Sequence, residues 1–339
     1  NFKNEIICDI DMNFLHNAVP KKFLRGEFNF KKTKEKIKEE IDLKESILGI
    51  ISSPVVSSKE QVIRQYDHEV QGKTVLKPLI GQDGPSDAVV LKVNYDKNSC
   101  ISVGCGINPF YGDIDPYYMA GCCIEETIRN LVCVGANPEK IAILDNFCWG
   151  NIKDRKQLGS LVRCVNGCKD FALKYKVPFI SGKDSLNNYF VDETGEKISI
   201  PGTLLISGIG IIEDIDNVVS SDLKKEGNLI YICGETKREM GGSQFFRAYN
   251  FNGGKVPVPD PAKTTKLIEK IYIAINKNLI RACHDCSDGG FSTCISEMAI
   301  GGRKGAEISL SKIPSKDRKI DTYLFSETQG RFVVEIEEK

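Results

Sequence analysis

The sequence predicts an α/β protein of two domains, and three observations carry that expectation. From about residue 85 onward, short apolar runs alternate with longer stretches of helical period. The 339 residues are enough for about two ordinary domains. A polar, charged stretch at 213–228, EDIDNVVSSDLKKEGN, interrupts the pattern and ends in Gly-Asn, as a linker or surface connection does. We place the split near residues 215–225.

The elements follow in chain order. Residues 1–28 hold one apolar run, EIICDIDMNFL, and a basic turn. Residues 29–50 carry Lys and Glu at helical spacing, which predicts an exposed helix with a solvated face. SSPVVSSKE then offers several N-cap residues for another helix. DAVVLKV and CISVGCG read as strands. PYYMAGCCIEETIRNLVCVGANP reads as a helix closed by Gly135 and Pro138. KIAILDNF is a buried strand, QLGSLVRCVNGCKDFALKYK a second helix and VPFISG a strand. GTLLISGIGII is a strand too apolar to face water. Beyond the break come the strand LIYICGE, the loop GGSQFF, the Pro-rich stretch KVPVPDPAK and a long helix, AKTTKLIEKIYIAINKNLI. The strand RACHDCSD, the helix FSTCISEMAI (stopped at Gly301–Gly302) and the strands GAEISL and RFVVEIEE complete the chain. No short repeat is visible, and no G-x-G-x-x-G follows a strand in dinucleotide fashion.

Composition narrows the function. Apolar residues at 41% and charged residues at 27% suit a globular protein with a full core. Lys and Arg balance Asp and Glu at 46 each, which argues against binding nucleic acid by bulk charge. No apolar run approaches the ~18–20 residues that cross a bilayer, so no membrane partner is expected. Thirteen scattered cysteines fit a reducing cytoplasm. The one CxxC, Cys283–Cys286, closes a strand, whereas a redox pair more often opens a helix, and no second Cys or His pair sits at zinc spacing. The chain begins at Asn1 rather than Met, so we expect a piece of a longer protein.

Several constellations could carry chemistry. Glu126 and Asn130 are four apart and share one face of a mostly apolar helix. They are either a solvent-facing polar pair or oxygen donors for a hard cation such as magnesium. Asp87 stands at the mouth of a buried strand beside the turn Asp83–Gly84–Pro85. In HDCSDGG, Asp285 ends an apolar strand, and Ser287 or Asp288 could cap the following helix while also serving a ligand. Two loops suit anions, because glycine lets backbone N–H groups approach phosphate. They are PFISGKDSLNN, with Gly182, Lys183, Ser185 and Asn187, and MGGSQFF, with Gly241, Gly242 and Ser243. His68, in YDHEVQG, is a general acid–base candidate or a structural histidine, and Lys77 lies just beyond it.

Together, RQYDHEVQG, KPL, DGPSDAVVL, GINP, IEETIRN, LDNFCWGN, PFISGKDS, GTLLISGIG, GGSQ, HDCSDGG and LFSETQGRF resemble, in order, the second synthetase half of the phosphoribosylformylglycinamidine synthase family, in its large form. The resemblance implies the aminoimidazole ribonucleotide synthetase-like fold. An α/β domain with a barrel-like interface (51–220, after a lead-in at 1–50) is followed by an α+β domain (221–339) that stops early. It implies an ATP-dependent amidotransferase of purine synthesis that converts formylglycinamide ribonucleotide and glutamine-derived ammonia to the formylglycinamidine. It implies Mg2+ and ATP or ADP as cofactors, with Asp87, Glu126, Asn130 and Asp285 as magnesium ligands and Ser287 on the nucleotide. In small forms the positions matching Asp145 and Gly182 contact the reacting ATP, and Ser185 matches a substrate contact. Gly242 and Ser243 are further expected substrate contacts, and His68 and Lys77 catalytic ones. The position of Lys183 is an asparagine metal ligand in small forms. A charged lysine cannot ligate magnesium, so a phosphate contact is expected there. The implied partners are a first synthetase half, a glutaminase domain or subunit, and a second copy of this chain in a homodimer through the α/β domain. The nucleotide at that site is then either reacting or, in a half that only docks onto a catalytic one, structural. Other readings are a different superfamily enzyme, such as aminoimidazole ribonucleotide synthetase, or an α/β domain with acidic turns. The glutaminase set is missing, and we expect no product from this chain by itself.

Overall fold

A computed structural model describes residues 2–19, 22–30, 41–80, 84–251 and 253–338. A six-stranded sheet runs, edge to edge, through Thr74–Leu76, Ala88–Lys92, Cys100–Ile107, Thr203–Ile212, Ile141–Cys148 and Phe179–Ser185. All neighbours are antiparallel except the last two, which the helix Arg155–Tyr175 joins as a parallel crossover.

The helix Pro116–Cys133 lies across the centre of this sheet. Asp115 caps it by accepting from the Tyr117 amide, and Pro116 fills its first position, where a missing N–H costs nothing. Alternate positions of the two central strands are glycines on the helix side. A Cβ on Gly106 would stand 2.2 Å from the Cys123 carbonyl oxygen, and one on Gly208 would stand 2.5 Å from Thr127 Cγ2. These glycines let the helix approach the sheet closely enough to bury Ile124, Ile128, Leu131 and Val132 against it. Gly106→Ala should therefore destabilise the chain by about 1–3 kcal/mol in urea denaturation, the usual range for overpacking; a loss under 0.5 kcal/mol would show that the helix can yield. On the opposite face Leu205, Ile209 and Ile211 are half-buried, and Val103 and Ile107 are exposed.

The second sheet is antiparallel, ordered Leu229–Cys233, Phe332–Ile336, Ala282–Asp285. Its side chains alternate between two cores. Cys283, Phe332 and Val334 join the core of the first sheet's helices, together with Ile268, Ile271 and Ile275 of the helix Pro261–Asn276. Ala282 and Val333 face a separate core with Phe291, Cys294 and Met298 of the helix Gly290–Gly302. One core thus spans both halves of the chain.

Three expectations change. The stretch 213–228 is not simply a surface connection: Ser221 and Leu223 are buried, Ser221 Oγ donates to Pro85 O at 2.9 Å, and the Leu223 amide donates to Met298 O at 3.0 Å. GAEISL forms no strand among the described residues; it faces the edge strand Leu229–Cys233 across a groove of about 720 Å3, unpaired with its backbone. The helix expected within 29–50 is observed at Leu43–Ile51 and buries Ser46 and Ile50, while 31–40 lies outside the described residues, as does Asp83.

Candidate functional site

Asp87, just ahead of the strand Ala88–Lys92, and His284 and Asp285, ending the strand Ala282–Asp285, meet where the two sheets approach each other. The turn after Asp285 explains the glycine pair of HDCSDGG. Gly289 and Gly290 have φ of +73° and +70°, in the left-handed region, and a Cβ on Gly290 would stand 2.6 Å from the Ser326 carbonyl oxygen. The expected cap by Ser287 or Asp288 is not made. Gly289 is the N-cap residue, without a side-chain bond. Ser287 Oγ instead donates to Asp285 Oδ2 at 2.5 Å, and Asp288 Oδ1 accepts from Asn108 Nδ2 at 2.7 Å.

On the helix Pro116–Cys133, Glu126 and Asn130 are the two positions around this turn that escape full burial, as their spacing predicts. Asp87, Glu126, Asn130, Asp285 and Ser287 all line one cavity of about 340 Å3. Glu126 Oε2 accepts from the Ile107 amide at 3.1 Å, and Asn130 Nδ2 donates to Cys105 O at 2.8 Å, leaving its amide oxygen for another partner. Asp87 Oδ1 accepts from the Asp285 amide at 2.8 Å and stands 2.9 Å from His284 Nδ1. Its other oxygen, Oδ2, is buried and has no hydrogen-bond partner among the described residues. A buried carboxylate oxygen without a donor is costly, and a cation would satisfy it. The four oxygen-bearing side chains are hard donors of the kind magnesium takes. They stand apart around the cavity wall: among the described residues no three His, Cys, Asp or Glu side chains form a ready cation cluster.

A buried network that the sequence reading missed stands behind the cavity. Arg129, fully buried, donates through Nε to Asp285 Oδ1 at 2.5 Å, through Nη1 to Glu125 Oε1 and Gln329 Oε1 at 2.8 Å each, and through Nη2 to Ser287 Oγ at 2.7 Å. Burial alone would lower its pKa, but Asp285 and Glu125 outweigh that and hold the guanidinium charged. Glu125 also receives the Tyr175 hydroxyl. The signal was present, since Glu125 and Arg129 are also four apart within IEETIRN. Burial, then the charges of Asp285 and Asp288, pushes Glu126 well above the usual carboxylate range. Burial pushes Asp288 up to about 7, with Glu297 and Asp285 adding to it. Burial would lower His284, but Asp87 and Glu297 raise it well above its ordinary value.

Glu327, of LFSETQGRF, knits three segments together. Its Oε1 accepts from the Gln244 amide at 2.8 Å and the Gly289 amide at 2.7 Å, and its Oε2 accepts from Tyr111 Oη at 2.6 Å. Burial, reinforced by Asp288, pushes it up to about 8. Glu327→Ala strands two buried amides and a hydroxyl and should cost about 3 kcal/mol or more, read by urea denaturation. Glu327→Gln keeps an acceptor for the amides and should lose far less. A carboxyl whose folded pKa is raised stabilises the fold only while protonated, so its contribution declines as pH rises from its unfolded to its folded pKa. Stability of the wild type relative to Glu327→Gln should therefore fall between about pH 4.5 and about pH 8 and level off above; a constant difference would refute the raised value.

The remaining expected residues lie elsewhere, and none of them lines the cavity. Asp145 and Gly182 are opposite each other in the parallel strand pair; a Cβ on Gly182 would stand 2.6 Å from Asp145 Oδ1. Lys183, exposed, donates to Ser185 on the same edge strand. Gly242, with φ +77°, packs against Phe110 and Tyr111, and Ser243 is fully buried, its Oγ accepting from the Phe246 amide at 3.2 Å. The loop MGGSQ is thus packed into the fold rather than open to an anion. His68 is half-buried in a turn, and Lys77 pairs with Glu69 at 2.7 Å on the surface. Cys283 and Cys286 are free thiols that point to different partners, Cys133 Sγ at 3.5 Å and Cys294, so the CxxC forms no pair of its own.

Comparison with known proteins matches this architecture. A family model described as AIR synthase related protein, N-terminal domain, matches residues 85–211, and one described as AIR synthase related protein, C-terminal domain, matches residues 225–339. Phosphoribosylformylglycinamidine synthase subunit PurL of Thermococcus sibiricus is 37% identical over 88% of this chain and 40% of its own length. Thermotoga maritima PurL complexed with FGAR superposes with a TM-score of 0.66 at 19% identity, covering 88% of this chain and 46% of that one. The same protein complexed with ATP gives a TM-score of 0.59 at 21% identity, covering 87% and 43%. At these identities the structural likeness shows the fold. The chain spans less than half the length of the curated relatives it matches. The two family models together cover most of the chain, and the chain belongs to the AIR synthase related protein family.

Proposed function

We propose that this chain is the second synthetase half of a phosphoribosylformylglycinamidine synthase, and that its acidic cavity holds magnesium and an adenine nucleotide. The observation that carries the reading is Asp87 Oδ2, a buried carboxylate oxygen without a partner, on the wall of a cavity shared with Glu126, Asn130 and Asp285. Those four residues would hold the ion, and Ser287 would contact the nucleotide. When bound, magnesium supplies positive charge against the polyphosphate. The chain's own contribution is to fix the donors: Arg129 and Ser287 orient Asp285, and the Ile107 amide orients Glu126. The overall reaction would be that of an ATP-dependent C–N ligase in the cytoplasm. ATP phosphorylates the amide oxygen of formylglycinamide ribonucleotide, and ammonia from glutamine displaces phosphate to give the amidine.

A specific observation favours a division of labour. Asp145, Gly182, Lys183 and Ser185 lie on the strand pair at one end of the large sheet, separated by the strand Thr203–Ile212 from the strand whose Cys105 and Ile107 border the cavity. The cavity nucleotide is then held rather than consumed, and the Lys183 edge meets reacting ATP and substrate together with a first synthetase half. The uncovered face with Val103, Leu205, Ile209 and Ile211 offers the apolar surface for that half, and a glutaminase domain or subunit supplies ammonia. This chain by itself forms no product. Native mass spectrometry with labelled ATP tests the reading: a magnesium-dependent ADP adduct that resists exchange supports it. Rapid exchange would instead mark a working site, and absence of any adduct after incubation with Mg2+ and ADP would overturn the nucleotide reading.

A further inference from the structure

His284 stands in the cavity wall, 7% exposed, with each ring nitrogen facing a carboxylate. Nδ1 is 2.9 Å from Asp87 Oδ1, and Nε2 is 3.0 Å from Glu297 Oε2. The imidazole therefore ties three elements together: the strand it belongs to, the helix Gly290–Gly302 that carries Glu297, and the lead-in to the strand Ala88–Lys92. Asp87 Oδ1 takes a second donor, the Asp285 amide, at 2.8 Å. Two donors converging from different segments on one oxygen stop the carboxylate from turning about its Cβ–Cγ bond. The same arrangement leaves Oδ2 as the oxygen without a partner among the described residues. An unrestrained Asp87 would turn to share its donors between both oxygens. We propose that His284, gripped by Glu297, is the positioning residue that holds Asp87 with its second oxygen reserved for the cation of the cavity.

The inference rests on the magnesium–nucleotide reading of that cavity, and the alternative is a core histidine that merely satisfies its own hydrogen bonds. Two amide replacements separate them. Asn places its Nδ2 roughly where His has Nδ1 and can still hold Asp87; Gln places its Nε2 roughly where His has Nε2 and reaches toward Glu297 instead. ADP affinity of the 339-residue chain is measured by isothermal titration calorimetry with and without Mg2+, beside the melting temperature. Outer ligands of metal sites are typically worth 10–100-fold, so His284→Gln should lose about that much of the magnesium-dependent affinity while the magnesium-free affinity stays unchanged. His284→Asn should remain within about threefold of wild type, because the Asp87 bond is retained. Glu297 is partly exposed on its helix, so Glu297→Ala gives a variant that keeps the buried imidazole, and it should lose magnesium-dependent affinity in the same direction by a smaller factor. In an Asp87→Asn background His284→Gln should have no further effect. Wild-type affinity in His284→Gln or Glu297→Ala, or equal losses in the Asn and Gln variants, would overturn the positioning role. No magnesium-dependent affinity in the wild type would instead overturn the reading of the cavity, and this inference with it.

Discussion

Asp87→Asn should weaken magnesium-dependent ADP binding by about 100-fold or more, close to 2.7 kcal/mol, at some cost in the stability of the fold. Asparagine is nearly isosteric. Its Oδ1 can still accept from the Asp285 amide and His284, so the local bonds survive. Its Nδ2 then replaces the partnerless Oδ2, which removes a lone pair the cation needs. The fold should lose about 1 kcal/mol or more at the same time, because the His284 imidazole keeps its hydrogen bond but loses the charge that Asp87 sets against it. Glu126→Gln should weaken binding likewise, since it keeps the bond from the Ile107 amide while removing a carboxylate oxygen. Calorimetric titration with and without Mg2+, together with urea denaturation of the apo chain, reads both quantities. Wild-type affinity in either variant would reverse the expectation.

Arg129→Met should cost about 3–5 kcal/mol of stability, the usual result of removing one partner from a buried ion pair. Two carboxylates, on Glu125 and Asp285, lose the guanidinium, as do Gln329 and Ser287. Against a typical total of about 5–15 kcal/mol, that is a large fraction. Arg129→Lys keeps the charge but not the fork that reaches Glu125 and Asp285 at once, so it should fall between wild type and Met. Adding Glu125→Gln to Arg129→Met should recover part of the loss, because one stranded charge disappears. A cost under 1 kcal/mol for Arg129→Met in urea denaturation would show that the network is solvated rather than dry.

The fold was legible wherever pattern and punctuation agreed. The central helix, with Pro116 at its start and Gly135 past its end, and the apolar strand Thr203–Ile212 are where periodicity places them. The positions of Asp87, Glu126, Asn130 and Asp285 on one cavity were also legible, through spacing and family resemblance together. GAEISL misled because its alternating pattern is that of a strand, whereas strand formation depends on a backbone partner that the pattern does not encode. GGSQ misled because glycine serves close packing as readily as phosphate, and Gly242 here packs on Phe110 and Tyr111. Arg129, His284 and Glu327 escaped notice as a network because each takes one partner, Asp285, Asp87 and Tyr111 respectively, that lies 156 to 216 residues away along the chain.

Asp87, Glu126, Asn130 and Asp285 should form one cation site beneath a nucleotide. Anomalous scattering from crystals of the chain grown with Mn2+ and ADP would locate the ion. A manganese peak bonded to Asp87 Oδ2 and Glu126, with the ADP phosphates beside Ser287, is the expected result. ADP bound elsewhere on the chain, or manganese bound away from this cavity, would contradict it.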